Sequence, residues 1–153
     1  MRLQKATRLA LYAILELASH PDSHLSAAEI AEKYRISLNH VAKVLGSLRR
    51  ARLVEASRGV GGGFRFHGNP KRITLMEIIQ QFENIDPITS GEHEPGDATE
   101  FGVSLRRVLE EIEDSTRSTF SSITLDTMIK LTRRQAERRA IDTDRHPPAI
   151  PVR

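Results

Sequence analysis

The chain of 153 residues contains no cysteine, and this absence excludes several kinds of chemistry. Without a thiol the chain can form no disulfide, use no thiolate nucleophile and offer no cysteine ligand to zinc or an iron–sulfur cluster. Apolar runs are short as well, and none approaches the roughly 18 residues that a membrane span needs. The N-terminal segment lacks a small-residue cleavage site, so we expect no signal peptide and a cytoplasmic protein without a membrane partner.

Arrangements typical of catalysis are also missing from the sequence. No Ser/His/Asp set and no pair of carboxylates stands out, and the acidic run at residues 110–114 is typical of a solvated helix face. A hydrophobic content of 39% with 28% charged residues is ordinary for a soluble globular protein. The length suits one compact domain, or a small domain with an extension. We therefore do not expect an enzyme.

Charge is strongly segregated along the chain, although the formal net charge is only +3. Residues 1–75 hold 13 Lys or Arg against 5 Asp or Glu, whereas residues 76–114 hold 2 against 11. The remaining residues, 115–153, hold 8 against 4. A basic first half is the electrostatic footprint of a nucleic-acid partner, and a merely solvated basic face is the alternative interpretation.

Two helices are predicted at the start of this basic half. The first is expected over residues 3–19, where apolar residues recur at three- and four-residue steps until Pro21 follows. Ser26 and Glu29 form an S-x-x-E capping box that opens a second helix, which is expected to end at Tyr34.

A third helix, of the type that reads DNA, is expected from a cap at Ser37 to Arg52. Its inward side is predicted from one apolar stripe: Val41, Ala42, Leu45 and Leu48. Leu38 is expected to be a core or staple residue, with contact to a thymine methyl as the alternative. The polar first turn and a half supplies the predicted base-reading residues: Ser37, Asn39, His40 and Lys43. The alternatives are an exposed helix residue for Asn39 and a second cap contact for His40.

The next segment, RGVGGGFRF at residues 58–66, predicts a glycine-rich wing between short strands at 53–56 and 64–66. The turn glycines are Gly59, Gly61, Gly62 and Gly63. Nearby arginines are predicted to contact DNA phosphates or, for the last of them, the minor groove: Arg49, Arg50, Arg52, Arg58 and Arg65. A nucleotide-binding loop is the rival interpretation, but the Gly-Lys-Ser/Thr ending of a P-loop is missing. Three helices and a hairpin in this order predict a winged helix-turn-helix that binds double-stranded DNA.

Beyond the wing the sequence predicts a helix for dimerisation. Thr74 and Glu77 form a second capping box for a short fourth helix, and residues 86–102 lack an apolar period and are expected to form a loop. From about Ser104 an apolar seam in 4-3-4-3-4 steps is typical of a long helix that packs against a partner helix, a lone core helix being the alternative. The predicted dimer interface consists of Leu105, Val108, Leu109, Ile112, Thr116, Thr119, Phe120 and Ile123.

Together these features predict a mainly α fold with a small β-wing, in three parts. They are a winged helix-turn-helix domain at residues 1–73, a sensor loop and dimerisation helix at 74–131, and a basic, disordered tail at 132–153. Carboxylates surround His93 in the loop; a solvated acidic loop is the favoured interpretation, and a loosely held hard cation is the alternative.

The wing pattern Arg-Gly-x-x-Gly-Gly-aromatic, the stretch SLNHVAKVLGSLRRARLV and the segment ITLMEIIQQFE resemble the Rrf2 family of bacterial winged-helix regulators. The likeness runs from about Arg2 to Leu131 and is most specific in the wing. It implies a homodimer formed through the long helix, with two recognition helices facing a palindromic operator. We expect a repressor rather than an activator.

Sensing members of this family hold an iron–sulfur cluster with three cysteines in the loop before the long helix, and their nitric-oxide sensors add an aspartate in the first helix. The corresponding positions fall near Gly91, Asp97 and Val103, which cannot supply thiolates, and at Arg8, which cannot bind iron. We therefore expect no cofactor, and a small molecule or a protein as the effector. A protein-interaction adaptor that keeps the fold without specific DNA binding is the alternative function.

Overall fold

The computed structural model describes residues 3–83 and 95–145 of the chain. Within these ranges the chain forms helices and one two-stranded antiparallel sheet. Their order is α1 Lys5–Ser19, α2 Ala27–Tyr34, α3 Leu38–Arg50, β1 Val54–Ser57, β2 Gly63–Phe66, α4 Leu75–Ile79, α5 Glu100–Ser122 and α6 Leu125–Arg145. The predicted mainly α fold with a small β-wing is confirmed.

The centre of the core is α1, which packs against α3, α4, α6 and β2. Its apolar stripe is buried from Leu9 to Leu17, as the three- and four-residue spacing predicts. Leu45 of α3, Ile78 of α4 and Leu125 of α6 are fully buried in the same cluster. Burial of each such side chain contributes roughly 1.5–3 kcal/mol, so one continuous core holds the first three helices, the wing and the C-terminal helices together.

Both predicted capping boxes are confirmed. The Ser26 hydroxyl oxygen accepts a hydrogen bond from the Glu29 amide at 3.2 Å, and the Glu29 carboxylate accepts one from the Ser26 amide at 2.7 Å. At α4 the Thr74 hydroxyl oxygen accepts from the Glu77 amide at 3.3 Å, and the Glu77 carboxylate accepts from the Thr74 amide at 2.6 Å. Each box satisfies two backbone groups that a helix start would otherwise leave open.

The inward face of α3 differs in one residue from the prediction. Val44 is buried there, whereas Ala42 is exposed. Steps of three, four and seven residues from Val41 define the buried face, and Ala42 is turned about 100° away from Val41 around the helix axis. The expectation that Leu38 is a core residue is also wrong, since 51% of Leu38 is exposed.

The predicted long helix is divided into two helices. Thr99 caps α5 through a hydrogen bond from the Gly102 amide to its hydroxyl oxygen at 3.0 Å, so the helix begins before the predicted Ser104. It ends at Ser122, because Thr124 starts α6 by accepting from the Thr127 amide at 3.2 Å. The interface predicted from the seam therefore ends at Ile123, between the two helices.

The first part of the predicted C-terminal tail is helical. Because α6 continues to Arg145, residues 132–145 are helical and the expectation of disorder is wrong for them. Residues 146–153 and the part of the predicted loop at 84–94, including His93, lie outside the described residues. Among the helices in the described ranges, none combines the length and the apolarity that crossing a membrane would require.

A half-buried carboxylate joins α1 to α2. Glu16 Oε1 lies 2.6 Å from Lys33 Nζ, and the Tyr34 hydroxyl donates to Glu16 Oε2 at 2.9 Å. The Tyr34 ring stacks on the Tyr12 ring with the centroids 5.1 Å apart. Burial alone would raise the pKa of Glu16, but the hydrogen bonds from Lys33 and Tyr34 outweigh it and hold the pKa below its ordinary value of 4.5. Burial and the bond to Glu16 raise the pKa of Tyr34.

Replacing Glu16 with Gln is expected to lower the free energy of unfolding by on the order of 1 kcal/mol near neutral pH. Because the pKa of Glu16 is lowered in the folded chain, its carboxylate stabilises the fold above the unfolded-state pKa. This contribution is lost as the pH falls through the folded-state pKa, so wild type and variant should converge in acid. Urea unfolding at a series of pH values measures the difference. Glu32→Gln, on the exposed side of α2, is the matched control, and a pH-independent difference for Glu16→Gln would contradict this assignment.

Candidate nucleic-acid interface

The turn between α2 and α3 sets the geometry of the helix-turn-helix. At the end of α2, Arg35 has the left-handed φ of 52°. Its amide donates to the Glu32 carbonyl at 3.2 Å, and the Ile36 amide donates to the Ala31 carbonyl at 3.0 Å. These two bonds close the helix in the manner of a Schellman motif, so the chain can reverse within a few residues and start α3.

The first turn of α3 presents most of the predicted base-reading residues. Asn39 and Lys43 are exposed, whereas His40 is half-buried. The Ser37 hydroxyl oxygen caps the helix by accepting from the His40 amide at 3.4 Å, which leaves its O–H available to donate to a phosphate or a base. An Asn amide can pair with both hydrogen-bonding positions of adenine, and a Lys ammonium can donate to guanine.

The other end of α3 carries arginines whose surroundings differ. Arg49, Arg50 and Arg52 are all exposed. The Arg50 guanidinium donates to the Ser47 hydroxyl oxygen at 2.9 Å and thus lies back along its own helix. Arg52 follows the helix with the left-handed φ of 59°, a conformation that costs an ordinary residue roughly 1 kcal/mol and usually selects glycine at a helix end. A guanidinium therefore stands where the backbone favours glycine.

The wing has the predicted form, with the strands Val54–Ser57 and Gly63–Phe66 joined through residues 58–62. Gly61 has a left-handed φ of 75° in the turn. At Gly63 a Cβ atom would lie 2.8 Å from the Leu25 carbonyl oxygen, so only glycine fits there. The other two predicted turn glycines, Gly59 and Gly62, complete the same turn. The conformations of the glycines thus keep the hairpin short and close to the segment before α2.

The two wing arginines occupy different environments. Arg58 is exposed at the start of the turn, and within the described part of the chain its side chain makes no ion pair. Arg65 lies in β2 directly opposite Glu55, and its Nη2 atom is 3.1 Å from the Glu55 Oε2 atom. His67 Nδ1 lies 2.7 Å from the other carboxylate oxygen of Glu55. Arg58 can therefore bind a phosphate without first breaking an ion pair, whereas Arg65 is already paired with Glu55.

A shallow depression lies between the end of α3 and the sheet. Its lining is mainly basic and includes one acid: Arg49, Arg52, Val54, Glu55, Ala56 and His67. The sequence prediction included the arginines but missed Glu55 and His67. The sequence did contain a signal for Glu55: aligning the two predicted strands as an antiparallel hairpin places Glu55 opposite Arg65.

The predicted dimer interface separates into two parts. The residues near the start of α5 are 37–59% exposed although they are apolar: Leu105, Val108, Leu109 and Ile112. Thr116 is half-buried and Thr119 exposed. Phe120 and Ile123 instead pack against the core of their own chain. No residue of α5 is fully buried, so its N-terminal part presents an uncovered apolar stripe.

The model of the Rrf2 family, described as iron-dependent transcriptional regulators, matches residues 3–131 of the chain. This protein is a member of the Rrf2 family. It is accordingly a DNA-binding transcriptional regulator and not an enzyme. Residues 132–145 of α6 lie beyond the matched segment, and Arg133, Arg134, Arg138 and Arg139 are exposed there.

Named relatives and solved structures agree with this membership. The chain is 48% identical over 145 residues to the HTH-type transcriptional regulator BadM of Rhodopseudomonas palustris, a match that covers 90% of this chain and 89% of BadM. It is 36% identical over 85 residues to the regulator NsrR of Shouchella clausii, covering 55% and 57% of the two chains. Its structure is similar to that of CymR, the global cysteine regulator of B. subtilis, with a TM-score of 0.73 and 25% identity over 86% of this chain and 98% of that one. For T. potens IscR the TM-score is 0.70 with 25% identity, covering 86% and 88%.

The family description implies iron, but the donor atoms of this Rrf2 chain do not fit an iron–sulfur cluster. The sequence contains no thiol, and such clusters are held by thiolates. Asp97, which the family resemblance aligns with a cluster cysteine, forms an ion pair with Arg106. Its carboxylate is thus already engaged in joining the segment before α5 to that helix.

The remaining aligned positions fit iron no better. Val103 is an exposed apolar residue of α5, and Gly91 lies outside the described residues. Arg8, at the position of the aspartate ligand, donates a hydrogen bond to the Tyr12 hydroxyl at 3.2 Å. A guanidinium carries a positive charge and has no acceptor to offer a metal.

Replacing Arg52 with Gly is expected to stabilise the fold while weakening DNA binding. Glycine removes the cost of the left-handed φ, so the free energy of unfolding should rise by on the order of 1 kcal/mol relative to Arg52→Ala. Both variants lose the same guanidinium and should lose DNA affinity equally. Urea unfolding and fluorescence anisotropy on one duplex measure the two effects. Unchanged affinity in both variants would exclude Arg52 from the interface.

Proposed function

We propose that this Rrf2 regulator is a homodimeric repressor that binds a palindromic operator. The observation that carries the proposal is the exposed, polar start of α3 followed by an arginine-rich helix end and wing. In a winged helix-turn-helix, the start of the third helix enters the major groove and the wing lies along the backbone or minor groove. A dimer that occupies an operator excludes other proteins from the same DNA.

The exposed side chains divide into two roles in this proposal. Asn39 and Lys43, together with Ser37, read base edges because their donors and acceptors match the major groove. The arginines at the end of α3 and Arg58 in the wing neutralise phosphates, which orients the protein without selecting a sequence. Arg65 joins them after it separates from Glu55.

The uncovered apolar stripe of α5 supports the homodimer. Removing apolar surface from water is favourable by roughly 25 cal/mol for each Å². In the single chain, a large fraction of the surface of the four apolar residues of this stripe is exposed to water: Leu105, Val108, Leu109 and Ile112. A two-fold pairing of α5 with its copy would cover the stripe on both chains at once. Two recognition helices would then face half-sites one helical turn, or a multiple of it, apart.

Signal input is proposed at the junction of α4 with the C-terminal helices. The Leu75 amide donates to the Ile123 carbonyl at 2.9 Å, and the Leu125 amide donates to the Ile73 carbonyl at 3.0 Å. A small molecule or protein that binds near α5 would act through this junction on α4 and on α1, which packs against α3. Such an effector shifts DNA affinity only if it binds one arrangement of the junction better than the other.

Arg58→Ala should weaken binding to every duplex and make the salt dependence shallower by about one counterion, because a phosphate contact is lost. Lys43→Ala and Asn39→Ala should instead reduce the preference for particular base pairs by roughly 1–3 kcal/mol each. Selection of bound sequences from a random pool, followed by anisotropy titrations at several salt concentrations, measures both quantities.

The two classes of variant serve as controls for each other. Equal losses for Lys43→Ala on selected and random DNA would remove it from base reading. If the wild-type protein binds no duplex even at low salt, the proposed operator-binding repressor is excluded, and a protein-interaction adaptor that retains the fold is favoured.

Ile112→Glu is expected to convert the dimer into monomers, since it places a charge in the apolar stripe of α5. Light scattering on a sizing column measures the mass, and affinity for a palindromic duplex should fall far more than affinity for a single half-site. Ser118→Glu, which adds the same charge at an exposed polar position of α5, is the matched control. A dimer that persists in Ile112→Glu would place the interface elsewhere.

A further inference from the structure

One carboxylate stands among the basic groups of the wing. Glu55 Oε2 lies 3.1 Å from Arg65 Nη2, and Glu55 Oε1 lies 2.7 Å from His67 Nδ1. The depression that Glu55 lines is otherwise bordered by Arg49, Arg52 and His67 among its polar residues. An anionic group with two oxygens thus lies between an arginine and a histidine, side chains of the kind that contact a DNA phosphate.

The arrangement is built into the fold but is weakly held. Glu55 and Arg65 are cross-strand partners in the β1–β2 register, so the sheet itself brings their side chains together. The side chains of Glu55, Arg65 and His67 are 50%, 46% and 55% exposed. Exposed pairs of this kind contribute little to stability, typically 0–1 kcal/mol. A phosphate can therefore replace the carboxylate without disturbing the wing.

We propose that Glu55 is an internal competitor for DNA phosphate, which limits the affinity of the wing for any duplex. In the free protein its carboxylate occupies Arg65, and near DNA the same negative charge repels the phosphates that would take its place. The effect is independent of base sequence, because phosphates carry no sequence information. This inference rests on the proposed DNA-binding role of the wing and adds to it an acid that opposes binding.

The test uses a labelled duplex of random sequence, so that no operator needs to be known. Glu55→Gln keeps the shape of the side chain and removes its charge. It should bind the duplex roughly twofold to fivefold more tightly than wild type, with a steeper salt dependence by up to about one counterion. Glu55→Asp keeps the charge and should stay close to wild type. Glu137→Gln, an equal charge change on an exposed residue of α6, controls for net charge.

A double-mutant cycle with Arg65→Ala locates the effect. If Glu55 acts by holding Arg65, the gain from Glu55→Gln should be much smaller in the Arg65→Ala background. Thermal unfolding of each variant verifies that the exposed substitutions leave the fold intact. Unchanged or weaker binding by Glu55→Gln, or an equal gain in Glu137→Gln, would overturn the inference while leaving the regulator proposal in place. If the wild type binds no duplex at low salt, both proposals fail.

Discussion

One pair of backbone hydrogen bonds holds the wing against the segment before α2. The Leu25 amide donates to the Phe64 carbonyl at 2.9 Å, and the Phe64 amide donates to the Leu25 carbonyl at 2.8 Å. This contact adds the segment before α2 to the edge of the wing sheet. It requires glycine at position 63, because a Cβ atom there would collide with the Leu25 backbone. Ser26 follows directly and caps α2, so one contact orients the wing and the start of the helix-turn-helix together.

A second backbone contact of the same kind ties the C-terminal helices to the DNA-binding unit. Thr74 and Thr124 form an isolated antiparallel bridge, and each of these residues also caps the helix that follows it. Movement of α5 or α6 therefore acts on the start of α4, which packs against α1. Because α1 also contacts α3 and β2, the core connects α5 and α6 mechanically to the helix and the strand that are proposed to contact DNA.

The sequence predicted correctly those features that depend on interactions within a few residues. The boxes at Ser26 and Thr74 follow from hydrogen-bonding rules within a few residues, and the turn at Gly61 follows from the positive φ that glycine tolerates. Non-local contacts decided the rest. The bridge between Thr74 and Thr124 joins segments that are distant in sequence. The pairing of Arg65 with Glu55 becomes visible only when the register of the two strands is worked out. The error at Ala42 arose because the sequence analysis placed the adjacent residues Val41 and Ala42 on one face, although successive residues of a helix are turned about 100° apart.

The proposed DNA-binding surface contains two kinds of feature that are unfavourable for the free protein: strained backbone at arginines and an acid among basic groups. Arg35 and Arg52 both have left-handed φ values at helix ends where glycine would relieve the backbone. Each instead places a guanidinium next to α3, where the proposed function would use it for phosphate contact at some expense of stability. Glu55 is the opposite case, since it adds a negative charge to a basic depression. Affinity that depends on phosphates alone is the same for every sequence, so a wing with unopposed arginines would hold the protein on random DNA. In the proposed function, arginines held beside α3 and an acid that opposes them in the wing would meet one requirement. They would give enough phosphate binding to orient α3 on the DNA, while the base contacts select the site.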